Sequence, residues 1–313
     1  MSPVRLHPST YARLTSVALA ALAVIVVTGA AVRLTGSGLG CPDWPTCAEG
    51  RIVAPLEYHA MIEFVNRTVT GLVSVSVMLA VLGSLARVPR RRDLTLLSFG
   101  LVAGVAGQIL LGGLVVLFHL WPPLVMGHFV LSMVLLWNAT LLRHRAREPD
   151  GAERRLGVRP DQRLLGHLLV AAGAVAILLG TVVTGSGPHA GSNDGELVER
   201  LPFSLEAVTR LHGISVALFL ALAVATLASL RAEGVAARVR RAAASLVGVI
   251  VVQGAIGYTQ YFLGVPEWLV LLHVAGAVAV WVTVVHLSLS MHLPVVAGRD
   301  GAADEGDRAM MIA

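Results

Sequence analysis

Two histidines of this chain recur in one local setting, each with a glutamine twenty residues upstream, a glycine sixteen upstream and an apolar helix following. Gln108, Gly112 and His128 map onto Gln253, Gly257 and His273 at one offset, since 253 − 108, 257 − 112 and 273 − 128 all equal 145. A second match supports the duplication: Thr35-Gly36-Ser37-Gly38 returns as Thr184-Gly185-Ser186-Gly187, each time after an apolar segment. A repeat of this size dictates the fold and is read before anything else. It places imidazoles in pairs inside hydrophobic helices, and a neutral imidazole is a metal ligand. The chemistry to consider is a buried metal or a heme.

An ionisable side chain inside a membrane span is costly and marks function by default. His128, His212 and His273 each fall within two turns of a helix entering from the outer face, so three imidazoles share one depth. His212 and His273 can face each other across a four-helix bundle, as the two axial ligands of a six-coordinate heme do. Any one of them alone would more simply be a satisfied core histidine; the duplicated spacing and shared depth reverse that balance. His7, His144, His167, His286 and His292 lie at or near the other ends of the helices, and His119 in an outer turn, where interfacial roles suffice. Zinc or di-iron centres need additional Cys, His or carboxylate ligands, of which the apolar segments hold almost none.

The first half differs. An offset of 146 sets Asn66 opposite His212, so His128 has no histidine partner there. His59, Glu63 and Arg67 follow at successive helical turns of the same segment, and Glu63 and Arg67 have the i, i+4 spacing of an ion pair. The stripe is a helix-start ion pair at its simplest. Chemically it supplies an acid or base, a candidate ligand and a cation for a carboxylate-bearing ligand. One permanent cofactor site and one altered twin imply divided labour, with the open coordination position suited to a substrate that enters and leaves.

The elements that must position these groups are membrane helices. Of 313 residues 56% are hydrophobic and 14% charged, and the mean hydropathy is +0.76, more apolar surface than a soluble core hides. Eight segments have the roughly 20 apolar residues that a bilayer crossing needs: about 15–33, 61–86, 94–118, 123–142, 164–184, 204–230, 243–263 and 267–290. The net charge of +5 does not indicate a nucleic-acid partner. All 24 Lys and Arg residues are arginines, and most are gathered before the first span, in alternate connections (Arg87 to Arg92, Arg143 to Arg163, Arg231 to Arg241) and after the last. The positive-inside rule puts both termini and these loops in the cytoplasm. A cleaved signal peptide is the rival reading of the first segment, disfavoured because that segment runs into the repeated Thr-Gly-Ser-Gly.

The resulting expectation is an all-α integral membrane protein, eight transmembrane helices forming two four-helix bundles related by a pseudo-twofold axis along the membrane normal. The N-terminal half spans 1–142, a solvated cytoplasmic linker 143–163, the C-terminal half 164–292, and a disordered cytoplasmic tail 293–313. Cys41 and Cys47, the only cysteines, lie in the outer loop of the first half. An oxidising compartment favours a disulfide there, with free thiols or a redox pair as the remaining readings.

Thr28-Gly29, Val32-Arg33-Leu34-Thr35-Gly36-Ser37-Gly38-Leu39, Cys41-Pro42-Asp43-Trp44-Pro45 and Cys47, followed by Glu63 and Arg67, resemble the heme A synthase family. The resemblance covers all eight spans. It implies oxidation of the C8 methyl of heme O to a formyl group by successive hydroxylations, giving heme A for terminal oxidases. It further implies heme b as cofactor on His212 and His273, His128 as a substrate-heme ligand with Asn66, Arg67 and His59 around that site, Glu63 as the catalytic acid, and a Cys41–Cys47 disulfide. Heme O is then the substrate, with heme O synthase and cytochrome oxidase assembly as partners in the cell membrane. The chain departs from the family's Glu-x-x-His-Arg pattern at Asn66, which leaves the substrate iron bound through His128 alone, or with His59 moving in, or the site altered. The alternatives are a membrane b-type cytochrome that passes electrons without modifying heme, and a transporter, whose polar site would sit at the midplane rather than at the outer edge.

Overall fold

A computed structural model describes residues 5–189, 191–192, 198–231 and 234–295. Its eight long helices are α1 (Pro8–Leu34), α2 (Tyr58–Ala86), α3 (Arg92–Leu117), α4 (Pro122–Ala146), α5 (Pro160–Ser186), α6 (Leu205–Ser229), α7 (Ala237–Phe262) and α8 (Glu267–Ser290). Each is long and apolar enough to cross a membrane, so the protein is an all-α, multi-pass membrane protein. At the arginine-rich end α1, α3, α4, α5 and α7 run beyond their apolar stretches. Pro8 and Pro160 occupy first-turn positions, where proline is preorganised for a helix, and Arg143, His144 and Arg145 sit in the last turn of α4, where cations are favoured.

In each half the helices close a ring, α1 on α2 on α3 on α4 and back to α1, then α5 on α6 on α7 on α8 and back to α5. The rings meet where α8 packs on α1 and α4, and where α4 packs on α5. One continuous core, including Leu136, Leu169, Phe219 and Val284, runs through both. Trp281 of α8 donates its indole N–H to the Met133 carbonyl of α4 at 2.7 Å, and its ring lies edge-on to Trp137 with centroids 5.9 Å apart.

The turns that end α3 and α7 are built alike. Each has two successive residues at positive φ, His119 (51°) and Leu120 (60°) in one, Gly264 (74°) and Val265 (63°) in the other. In each the second residue donates its N–H five residues back, Leu120 to Val115 at 2.8 Å and Val265 to Gln260 at 2.7 Å. The 145-residue offset therefore holds for backbone conformation as well as residue type, and identical turns set identical registers between the helices they join.

At the arginine-rich end the connection expected to be a solvated linker is shorter and more ordered. It runs over 147–159, and β1 (Glu153–Leu156) pairs antiparallel with β2 (His292–Val295), residues assigned above to the end of the second half and the start of the tail. Leu293 packs on Gly157, and Gly157 donates to the Met291 carbonyl at 2.9 Å. Arg87, with only 1% of its side chain exposed, pairs with Asp150 at 2.7 Å, and Arg154 pairs with Glu148 at 2.9 Å. Charges that composition alone assigns to solvent are thus spent on one another. The rest of the expected tail, 296–313, lies outside the described residues.

Candidate functional site

At the opposite end, His212 on α6 and His273 on α8 face each other from diagonal helices of the second ring. Their ring centroids are 6.4 Å apart and their planes 77° apart. Two imidazoles that bind one metal through nitrogens at about 2 Å have centroids about 6 Å apart. His212 Nδ1 lies 3.0 Å from the Ala176 carbonyl of α5; a carbonyl only accepts, so Nδ1 carries the proton and Nε2 keeps its lone pair. His273 Nδ1 is buried without a protein partner. The donor set fits an iron porphyrin: two imidazoles for the axial positions, and, among the described residues, no cluster of three or more His, Cys, Asp or Glu to complete a non-heme site.

In the first ring the Nδ1 of His128 on α4 is likewise buried and unpartnered. Across from it Asn66 of α2 accepts a hydrogen bond from the Thr28 hydroxyl of α1 at 2.9 Å. That contact is the counterpart of His212 bonding to α5, with a neutral amide in place of the imidazole. Glutamine side chains anchor both partner histidines: Gln108 Nε2 donates to the His128 carbonyl at 3.1 Å, and Gln253 Nε2 to the His273 carbonyl at 2.7 Å.

Beside Asn66, the disulfide loop is fastened onto α2. Cys41 and Cys47 are bonded and fully buried. Glu63, 5% exposed, accepts the Cys41 N–H on Oε2 at 2.9 Å and pairs through Oε1 with Arg67 at 2.7 Å. Arg67 also donates to the carbonyls of Cys41, Asp43 and Thr46. Its guanidinium, expected to meet a ligand carboxylate, is committed to Glu63 and the loop. His59 is bonded through Nδ1 to the Ser37 hydroxyl at 2.9 Å. Trp44 of the loop lies over α3 at Gly113, where a Cβ would come within 2.7 Å of its indole. The loop is therefore pinned to α2 and α3 beside the first site.

The roles of three contributors escaped the sequence reading, Thr28 having been named only within the motif that carries the family resemblance. Thr28 and Gly113 offer little of their own chemistry to notice. Gly180, against which His212 packs, was within reach, because the offset of 149 between the Thr-Gly-Ser-Gly motifs aligns it with Ala31 (180 − 149 = 31).

The two repeats also touch. Gly38 donates to the Gly191 carbonyl at 2.8 Å, and Arg33 of α1 donates to the carbonyls of His189 and Thr184 at 2.9 and 3.3 Å. The Thr-Gly-Ser-Gly segments thus hold the bundles together at the end that carries the imidazoles.

The family model described as COX15-CtaA, cytochrome oxidase assembly protein, matches residues 12–61 and 53–285. The chain belongs to this family. It is 32% identical over 120 residues to a heme A synthase of Lysinibacillus sphaericus, covering 38% of this chain and 39% of that protein. It is 32% identical over 131 residues to a heme A synthase of Alkalihalophilus pseudofirmus, covering 42% and 44%. A protoheme IX farnesyltransferase of Thermus thermophilus is 29% identical over 294 residues, 85% of this chain but 46% of that protein. The chain spans less than half the length of each of these relatives. The family match runs across both bundles, and His128, His212 and His273 all fall inside it.

Proposed function

We propose that the protein is a heme A synthase that oxidises the C8 methyl of heme O to a formyl group. A heme b would be held in the second bundle by His212 and His273, and substrate heme O in the first by His128. The observation that carries this reading is the asymmetry of a duplicated site: two imidazoles 6.4 Å apart in one bundle, and in the other a histidine opposite an asparagine already engaged by Thr28. A fully ligated centre retains its heme, whereas an incompletely ligated one lets it exchange.

Bound heme supplies the one-electron iron chemistry, and this chain's residues orient and insulate it. His212 presents Nε2 because Ala176 holds the proton on Nδ1. Glu63 would serve beside the substrate site either to stabilise charge or to take up a proton as the methyl is oxidised; Arg67 and the Cys41 N–H hold its carboxylate in place. Asn66, the departure from the family's histidine, leaves the substrate iron bound through His128 alone. His59 is held through Nδ1 by the Ser37 hydroxyl, which fixes its ring at the start of α2.

The distribution of arginines supports a parallel repeat about a pseudo-twofold axis, in the cell membrane, with both termini and the β1–β2 ribbon in the cytoplasm. The disulfide then faces the oxidising side. A relative named for farnesylating protoheme, matched over less than half its length, supports a farnesyl-transfer enzyme as the supplier of substrate. Cytochrome oxidase assembly is the destination of the product.

The test is expression in a host that makes heme O but no heme A, followed by chromatography of extracted hemes. Heme A, alongside protoheme retained by the purified protein, is the expected result. Protoheme without conversion would make the protein an electron-carrying b-type cytochrome instead, and a colourless protein would defeat both readings.

A further inference from the structure

All three imidazoles rest on glycine. A Cβ built on Gly112 of α3 would lie 3.3 Å from His128 Cε1, one on Gly180 of α5 3.3 Å from His212 Cε1, and one on Gly257 of α7 3.0 Å from His273 Cε1. In each case the helix supplying the glycine immediately precedes the helix supplying the histidine. In each case too the next atom approached is Nδ1, at 3.8, 3.7 and 3.4 Å. The ring therefore lies with its Cε1–Nδ1 edge against a bare stretch of neighbouring helix.

We propose that Gly112, Gly180 and Gly257 are seats that position the three imidazoles, turning the Nδ1 edge onto the adjacent helix and reserving Nε2 for iron, and that a fourth seat is closed by Ala31, whose partner is Asn66. The inference rests on the heme reading above. Glycine in a helix interior costs roughly 0.5–1 kcal/mol relative to alanine, and at these three positions a Cβ would crowd the ring that the bare backbone admits. Gln108 and Gln253, one turn before their glycines, complete the device in two cases by holding the histidine main chain while the glycine admits the side chain. In the fourth corner both members change together: Ala31 stands where Gly180 would be, and Asn66 where His212 would be.

Gly257→Ala, with Gly254→Ala as its control, tests the idea in the full-length, heme-loaded protein. Gly254 lies on the same helix with nothing within 4 Å of its would-be Cβ, so both changes raise helix propensity equally and only one meets an imidazole. Outer-shell changes at metal ligands cost about 10–100-fold in affinity. Gly257→Ala is expected to lose heme to excess apomyoglobin roughly tenfold faster and to shift the low-spin resonance and midpoint potential of the bound heme. Gly254→Ala should match the unsubstituted protein in all three. If Gly257→Ala does not fold, Gly180→Ala, with its looser 3.3 Å contact, is compared in the same way. A gain-of-ligand arm completes the test: Asn66→His with Ala31→Gly should convert heme bound in the first bundle to a six-coordinate, low-spin form, and Asn66→His alone should do so less completely. Variants indistinguishable from Gly254→Ala, together with an Asn66→His that ligates equally well with Ala31 present, would overturn the seats and leave the heme reading standing. Absence of heme from the unsubstituted protein would overturn both.

Discussion

Glu63 and Arg67 show how much a single ion pair carries. The carboxylate is almost wholly buried and the guanidinium spans three loop carbonyls, so charge, loop and helix are one unit. Removing one partner of a buried pair costs about 3–5 kcal/mol, less here because a quarter of the Arg67 side chain is exposed. On the proposed function, Glu63→Ala is expected to abolish heme A while protoheme in the second bundle is retained, with a lower unfolding temperature in detergent. Loss of the protoheme instead would mean that the two sites are transposed. The i, i+4 spacing makes the pair legible from sequence. The capture of Arg67 by the loop is not, because it depends on the path of the chain between Cys41 and Cys47, which nothing in the residue types specifies. The facing of His212 and His273 is legible for the opposite reason, since helical periodicity and a shared depth leave the rings few other places to be.

At the scale of elements, the turns after α3 and α7 invite opposite substitutions at neighbouring positions. A residue held in the left-handed region costs on the order of 1–3 kcal/mol, more for a β-branched side chain. His119→Gly and Val265→Gly should each raise the thermal midpoint in detergent, corresponding to about 1 kcal/mol. Leu120 has the same backbone strain, yet its side chain is buried between Gly38 and Gly191, and Leu120→Gly should lower the midpoint because lost burial of about 1.5–3 kcal/mol outweighs relief of strain. A Leu120→Gly more stable than the parent would disprove that weighting. The eight spans could be placed from apolar length alone, with errors at the arginine-rich ends, where proline and basic caps carry the helices further than hydropathy reports. The β1–β2 ribbon could not be foreseen: Glu153-Arg-Arg-Leu156 and His292-Leu-Pro-Val295 lack the alternation that signals strands, and the pairing exists because the ends of α4, α5 and α8 bring the segments together.

Across the whole molecule, the two bundles behave as partners joined at three levels: glycine loops at one end, Trp281 with Met133 and Trp137 in the middle, the ribbon and its ion pairs at the other. The middle contact is the simplest to probe. Trp281→Phe removes one N–H donor and should cost about 0.5–1.5 kcal/mol, seen as a lower unfolding temperature with protoheme still bound. No change in that temperature would show that the indole hydrogen bond contributes nothing to holding the bundles together. The ribbon has a consequence for biogenesis. Its first strand leaves the ribosome between the fourth and fifth helices and must wait, unpaired, until the eighth helix has been inserted and the second strand emerges. The clasp therefore shuts only after the helices of both bundles have been made, so the ribbon is among the last contacts of the molecule to form.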